Sequence, residues 1–385
     1  MKNIFRIYHR KIIWFLFSVV IFYCNSISVE AFHLRIGLKH KASYVRVSGT
    51  SYFDLIDTHT HQIILTTYGW RDYKIWIEGN RLVVEDVGAF LGPIILKPMP
   101  GTFGKIDSLP YRGDIEISLC KQTNRIKVIN VVDVEEYLYG VVKCEMPTTF
   151  PLEALKAQAI IARTFALANI KKHYVDKYHL CNGVCCQVYK GVSAESKITN
   201  EAVDETKDLV LTYDSHIARV YYHSSCGGRT TSNSAAWGCT YLPYLRGRKC
   251  PFCRHPQNSQ YWSYRIAKQK IQNMLNIGDI TGVSVIKRDV SGRVIRLALY
   301  HTGGKTTIYA NRLRELIGYD KIKSTNFTIS NHKQFLVFKG RGKGHGVGLC
   351  QWGARGMAEM GYNFKEILGF YYPGVYLQRV VFDKD

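Results

Sequence analysis

The stretch KCEMPTTFPLEALKAQAIIARTFALANI, Lys143–Ile170, constrains the fold more than any other part of the chain. Pro151 suits a first helical turn, where its missing N–H costs no hydrogen bond. About five turns of good helix formers follow, with no glycine or further proline. The resulting helix is apolar nearly all round, with Leu152, Leu155, Ile160, Ile161, Phe165 and Leu167 among many alanines. Such a helix belongs in a domain interior. Lys156 and Arg163 interrupt it on one face, about 10 Å apart along the axis. Buried cations are costly unless they meet an anion or line a wet cleft, although long side chains also snorkel to the surface. A single acid upstream, Glu145 before Pro147, and a glycine-rich segment near the C-terminus favour the cleft.

The flanking elements set the fold class. From Phe32 to Pro110, LRIGL, SYVRVSG, QIILTTYG, YKIWIEG and RLVVEDV alternate apolar and polar residues between turn residues, the pattern of short strands. GPIILKPMPG reads as a connection. DIEISLC and RIKVINVVDV resume the strands, and EEYLYGVV leads into the central stretch. Beyond it the pattern predicts a helix around Ser196–Lys207, a strand DLVLTYD, and a strand running into the polar loop of IARVYYHSSCGGRTTSNSAAWG. CTYLPYLRGRKCPFCRHPQN reads as an irregular, cross-linked excursion. Further helices are predicted at Ala267–Leu275 and in NRLRELIG, and strands in VSVIKRD, RVIRLALYH and KTTIYA. The expected fold is α+β, with an N-terminal segment 1–31, a β-rich region 32–110, and a mixed domain 111–385 around the buried central helix.

With 46% hydrophobic and 21% charged residues, the 385-residue chain is globular rather than disordered. Its net charge of +22 suits an anionic partner. No block of five or six consecutive Lys/Arg and no nucleic-acid module occurs, so no nucleic acid is expected. Lys2, Arg6, Arg10 and Lys11 precede an apolar run, Ile12–Cys24, that is short for a membrane span and right for a signal-peptide core. Val29 and Ala31 allow cleavage after Ala31, and an uncleaved anchor is the alternative. In both cases the rest of the chain is exported, with membrane contact only through this segment. Eleven cysteines are present; losing Cys24 would leave an even number, consistent with disulfides in an oxidising compartment. Their clustering is equally compatible with metal binding.

EYLYGVV, EMP, FPLEALKAQAIIARTFAL, CQVYKG, YYHSSCGGRT and GKGHGVGLCQWGARGMAEMGYNFKEILGFYYPGV occur in that order. Together they resemble the SpoIID/LytB family over about residues 110–377. The better-studied members are lytic transglycosylases acting on peptidoglycan glycan strands stripped of stem peptides; others enhance a wall amidase. The resemblance implies that Glu145 is the catalytic acid and that Lys156 and Arg163 are basic residues needed for activity. It implies a cell-envelope location, glycan strands as substrate and a cell-wall amidase as a partner.

Glycosidic cleavage needs a protonated carboxyl beside the leaving oxygen. A hydrolase usually adds a second carboxylate. A lytic transglycosylase can use the sugar's own 6-hydroxyl instead, so one clear acid favours transglycosylation. Asp133, Glu135, Glu136 and Glu153 lie near enough in sequence to keep that preference modest. The plain alternative for Glu145 is a helix-entry acid on the dipole.

The glycines of GKGHGVGLCQWG permit positive φ and close backbone approach to a ligand. Gly344, His345, Gln351 and Trp352 are expected to bind substrate, with Tyr189 and His223 from the preceding blocks. The bland reading is a structural turn before a helix Ala354–Met360. The spacing is not that of a phosphate-binding P-loop.

Some family members carry a zinc near the QVY segment, held by a histidine and two cysteines. Cys181 and Cys186, with His173 or His179, are the nearest match, and the extra Cys185 departs from it. Cys250 and Cys253 have knuckle spacing, with Cys226 and Cys239 as a second pair. Each cluster reads as structural zinc or disulfide, and no cofactor is required for catalysis.

Overall fold

The computed structural model describes residues 27–30, 33–255 and 260–383. The predicted signal core, Ile12–Cys24, lies outside them, whereas Ile27–Glu30 form a strand parallel to the C-terminal strand Tyr376–Asp383. Among the described residues, no helix is long and apolar enough to cross a membrane.

Alternating apolar residues build two sheets in the first third of the chain. The seven-stranded sheet runs, edge to edge, Leu180–Cys181, His33–Ala42, Arg125–Asp133, Asp114–Cys120, Ile94–Pro98, Phe53–Asp57 and Gln62–Thr67. The six-stranded sheet includes Tyr44–Gly49, Tyr73–Glu78 and Arg81–Val84. Leu34, Ile36, Phe53, Ile94, Leu96, Ile115 and Ile117 of the first meet Val45, Val47, Ile75 and Leu82 of the second in one core. Two expectations change here. Within GPIILKPMPG, Ile94–Pro98 is a central strand, bonded on both sides, because its glycines and prolines only flank the alternating buried Ile94 and Leu96. The boundary expected at residue 110 falls inside one sheet, since Asp114–Cys120 pairs with Ile94–Pro98.

Arg125–Asp133 feeds directly into α1, Val134–Glu145. Asp133 caps it, accepting from the amides of Glu135 and Glu136, and those two acids favour its positive end. Its buried face is Val134, Tyr137, Leu138, Val141 and Val142. Gly140 is needed here: a Cβ at that position would lie 2.5 Å from the Tyr189 ring. Then comes α2, Leu152–Ala168, with Pro151 as its N-cap, the buried central helix expected from the sequence. It packs against α1, α3 (Lys197–Asp204) and the strand Leu209–Tyr213.

The remaining helices are α4 (Asn233–Trp237), α5 (Lys268–Leu275), α6 (Ala310–Ile317), α7 (Gln351–Glu359) and α8 (Phe364–Tyr371). Both α7 and α8 also pack on α2. Between Tyr261 and Arg341 the chain forms a separate lobe with its own core of Trp262, Ile266, Ile271, Leu297, Leu299, Leu336 and Phe338. Two three-stranded sheets build it. The chain leaves the central domain after Cys253 and returns at Leu349–Cys350, which pairs in parallel with Tyr222–His223.

Candidate active site

Glu145 is the last residue of α1, not the first acid of a helix entry. A carboxylate there faces the negative end of the helix dipole, which disfavours its ionised form. Burial is the larger cause: it raises the Glu145 pKa, while an N–H bond from Val188 and a hydroxyl bond from Tyr222 pull the other way. The Val188 amide donates to Glu145 Oε1 at 2.9 Å. The net direction is upward, toward a carboxyl that holds its proton.

The carboxyl opens into a cavity of about 360 Å³. Phe165, Val188, Tyr221, Tyr222, Trp237 and His345 are on its wall, with Lys172 as its cation. Among the described residues lining it, Glu145 is the one carboxylate. Val184, Trp237 and His345 also line an adjoining cavity of about 460 Å³ that reaches Arg312, Glu315 and Tyr319 of α6 and its exit. The two share those three residues and so adjoin, forming a groove from the central domain onto the lobe. Exposed Trp237 and Tyr319 offer flat apolar faces along it. A roomier cavity of about 660 Å³ lies within the lobe, between Tyr261, Trp262, Phe327, Arg288 and Arg341. No carboxylate is among the described residues on its wall.

The expected cations are elsewhere. Arg163 is fully buried and locked on Glu135 at the opposite end of α1, with Nε donating to Oε1 at 2.7 Å and Nη2 to Oε2. Its remaining N–H groups reach the carbonyls of Leu209 and Val203. Ten residues of helix put Glu135 about 15 Å from Glu145. Lys156 pairs with Glu153 at 2.8 Å and Glu205 at 2.5 Å, beside α3. Neither lines the Glu145 cavity. The convergence inferred from their spacing is therefore corrected: the free anion each cation needed is a nearby Glu, and the cleft's own cation is Lys172.

The expected substrate-binding residues divide. His345 lies on the cavity wall, its Nδ1 accepting from the Val347 amide. Burial, then Arg314 and Arg293, lower its pKa to about 3, so it is neutral at ordinary pH. Gly344 lines the adjoining cavity with φ of 105°, and a Cβ there would lie 2.6 Å from that of His223. Gln351 holds the acid in place instead of facing substrate: its Nε2 donates to the Glu145 carbonyl at 3.0 Å and to Gln158 Oε1 at 3.1 Å. His223 is buried behind the loop, its ring bonded to the Val347 carbonyl, and burial holds its pKa well below normal. Tyr189 is a core residue, packed on Tyr137 and donating to Asn130 Oδ1. Trp352 packs between Phe150 and His255, away from the Glu145 cavity. Tyr222, Trp237 and Lys172 are the residues that sequence reasoning missed. The YYHSSCGG block held the signal for Tyr222, because strand alternation puts it on the face opposite His223.

The cysteines gather into two clusters. His173, Cys181, Cys185 and Cys186 bring their ligand atoms within 4.8 Å of one another, with His173 Nε2 at 3.4 Å from Cys186 Sγ. His179, expected as a ligand, instead accepts from the Arg35 amide through Nδ1 at 3.1 Å. Cys226, Cys250, Cys253 and Cys350 form the second cluster; Cys239, paired with Cys226 in the sequence reading, is exposed and bonded to Asn233. Cys350 lies too far along the chain to be read with a local knuckle.

A family described as Stage II sporulation protein matches residues 122–213, and a domain of unknown function matches residues 259–348, the separate lobe. An uncharacterized protein of Brachyspira hyodysenteriae is 32% identical over 315 residues, spanning 78% of this chain and 81% of that protein. An amidase enhancer of Bacillus subtilis is 28% identical over 79% of this chain, which spans 50% of that longer protein. Stage II sporulation protein D of Bacillus subtilis is 30% identical, with 64% of this chain aligned to 75% of it. That coverage, with the matched segment carrying Glu145 and the whole of α2, makes the chain a member of the SpoIID family.

Proposed function

We propose that the protein is a peptidoglycan lytic transglycosylase of the cell envelope, acting on glycan strands stripped of stem peptides. One observation carries this reading: a single half-buried carboxyl, with raised pKa, on the wall of a cavity where no other described residue is a carboxylate. Neutral Glu145 donates its proton to the glycosidic oxygen as the C1–O bond breaks. The resulting carboxylate accepts the proton of the sugar's 6-hydroxyl, whose oxygen attacks C1 and closes a 1,6-anhydro ring. The proton count at Glu145 returns to its start, and no water enters. Tyr222 orients the carboxyl, Gln351 fixes its backbone, and Lys172 and the aromatic walls hold the strand.

His173, Cys181, Cys185 and Cys186 fit a tetrahedral zinc, with neutral imidazole nitrogen and thiolates as donors. Such an ion would be structural, tying the segment that carries Val188, the amide donor to Glu145, to the end of α2.

Digestion of denuded glycan strands, followed by mass analysis of the new ends, tests the reaction. Anhydro ends that disappear in Glu145→Gln are expected; ordinary reducing ends would make the protein a hydrolase. The second reading comes from the amidase enhancer relative: a wall-binding protein that stimulates an amidase without cutting glycan. Intact strands together with retained binding would favour it. Tyr222→Phe supplies a further check. The Tyr222 hydroxyl lowers the Glu145 pKa, so its loss raises it further, and the alkaline limb of the pH–rate profile should move to higher pH. An unmoved limb would separate Tyr222 from the titrating acid.

A further inference from the structure

Cys226, Cys250, Cys253 and Cys350 come from three separate places in the chain and are all fully buried. Their sulfurs lie within 4.8 Å of one another, with Cys226 and Cys253 at 3.5 Å. Four thiolates on a tetrahedral zinc, with Zn–S bonds of about 2.3 Å, stand about 3.8 Å apart. The surroundings are those of charged sulfur. The Cys226 amide donates to Cys350 Sγ at 3.2 Å, and the Tyr371 hydroxyl is 3.2 Å from Cys250 Sγ. Outer donors of this kind orient metal-bound thiolates.

An independent observation is Arg293. Only 2% exposed, it donates through Nη2 to the Cys226 carbonyl, while its Nε and Nη1 have no partner among the described residues. A buried guanidinium in that state needs a nearby anion. Cys226, Asp289 and Cys350 are the groups that favour its charge, and four thiolates around a divalent ion would add net negative charge to that of the Asp289 carboxylate.

We propose that these four cysteines form a tetrathiolate zinc site that clamps the 260–341 lobe to the central domain. Cys226, Cys250 and Cys253 precede the lobe, and Cys350 follows it. Cys350 is also the N-cap of α7, whose first residue, Gln351, holds the Glu145 carbonyl. The ion therefore fixes both ends of the lobe and, through one residue, the seat of the acid. This site is distinct from the His173 cluster, and its occupancy does not depend on the reaction proposed above.

The full chain is purified after growth with zinc and without chelator, and its metal measured by mass spectrometry. In a Cys185→Ser/Cys186→Ser background, which disables the His173 cluster, about one equivalent of zinc should remain. Adding Cys253→Ser should remove it, whereas adding Cys239→Ser, on an exposed thiol of the same segment, should not. If Cys253→Ser fails to fold, cobalt exchanged into the background variant gives the readout: intense visible bands with thiolate charge transfer report four sulfur ligands. Zinc-free background protein, or an intact mass four hydrogens short from two disulfides, would overturn the proposal. Activity on glycan is not used, so loss of the transglycosylase reading would leave this result standing.

Discussion

Arg163→Met is expected to cost about 3–5 kcal/mol of folding stability, because it strands Glu135 as an unpaired charge in the core. The pair is bidentate and closed off: Arg163 is 0% exposed, and Glu135 Oε1 also accepts the Asp208 amide. The urea midpoint should fall at an unchanged slope. Arg163→Lys should recover only part of the loss, since an ammonium cannot reproduce the forked contact or reach both the Leu209 and Val203 carbonyls. The double variant Arg163→Met/Glu135→Leu should recover more than the single, short of full restoration because the Asp208 amide is left without its acceptor. Arg163 then bears on the site at a distance: it anchors the start of α1, and α1 carries Glu145 at its end. A wild-type midpoint with lost turnover would contradict that account and return Arg163 to the chemistry.

The same residues show what a sequence can disclose. The all-round apolar surface of α2 makes its burial legible, and the two cations on it stand out as needing partners. Spacing supplies Glu153 for Lys156, three residues earlier on the same helix, but not Glu205 or the Glu135 that meets Arg163, which reach them through tertiary packing. α1 itself was hidden because Val134, Tyr137, Tyr139, Val141 and Val142 favour strands, and a strand runs directly into it. Asp133 followed by Glu135 and Glu136 was the available capping signal. The glycine-rich segment was legible as backbone needing positive φ, which Gly342, Gly344, Gly346 and Gly348 adopt. Its purpose was less so: the loop packs against His223 and Arg293, and contributes to the cavity chiefly through His345. The Cys226–Cys350 pairing was illegible for a simpler reason, because the whole lobe separates the two in sequence and none of it in space.

Glu145→Gln should reduce glycan cleavage roughly 10²–10⁴-fold, the usual range for loss of a positioned general acid. The same substitution should stabilise the fold at neutral pH. Burial raises the folded-state pKa of Glu145 above its unfolded value of about 4.3. The protonated carboxyl therefore favours the folded state below the unfolded pKa, and that advantage is lost as pH rises through the folded value. Glutamine carries no charge at any pH and keeps an oxygen for the Val188 amide, which the acid now accepts at 2.9 Å. Thermal midpoints of variant and wild type should therefore nearly coincide in acid and separate in the variant's favour toward neutrality. Alkaline loss of wild-type turnover should occur over the same interval, since both report one proton. A wild type more stable than Glu145→Gln at neutral pH would mean that the carboxylate is a structural anion, bound by Val188 and Tyr222. The cavity around Glu145 would then lack its acid, and cleavage would have to come from a group outside the residues that line that cavity.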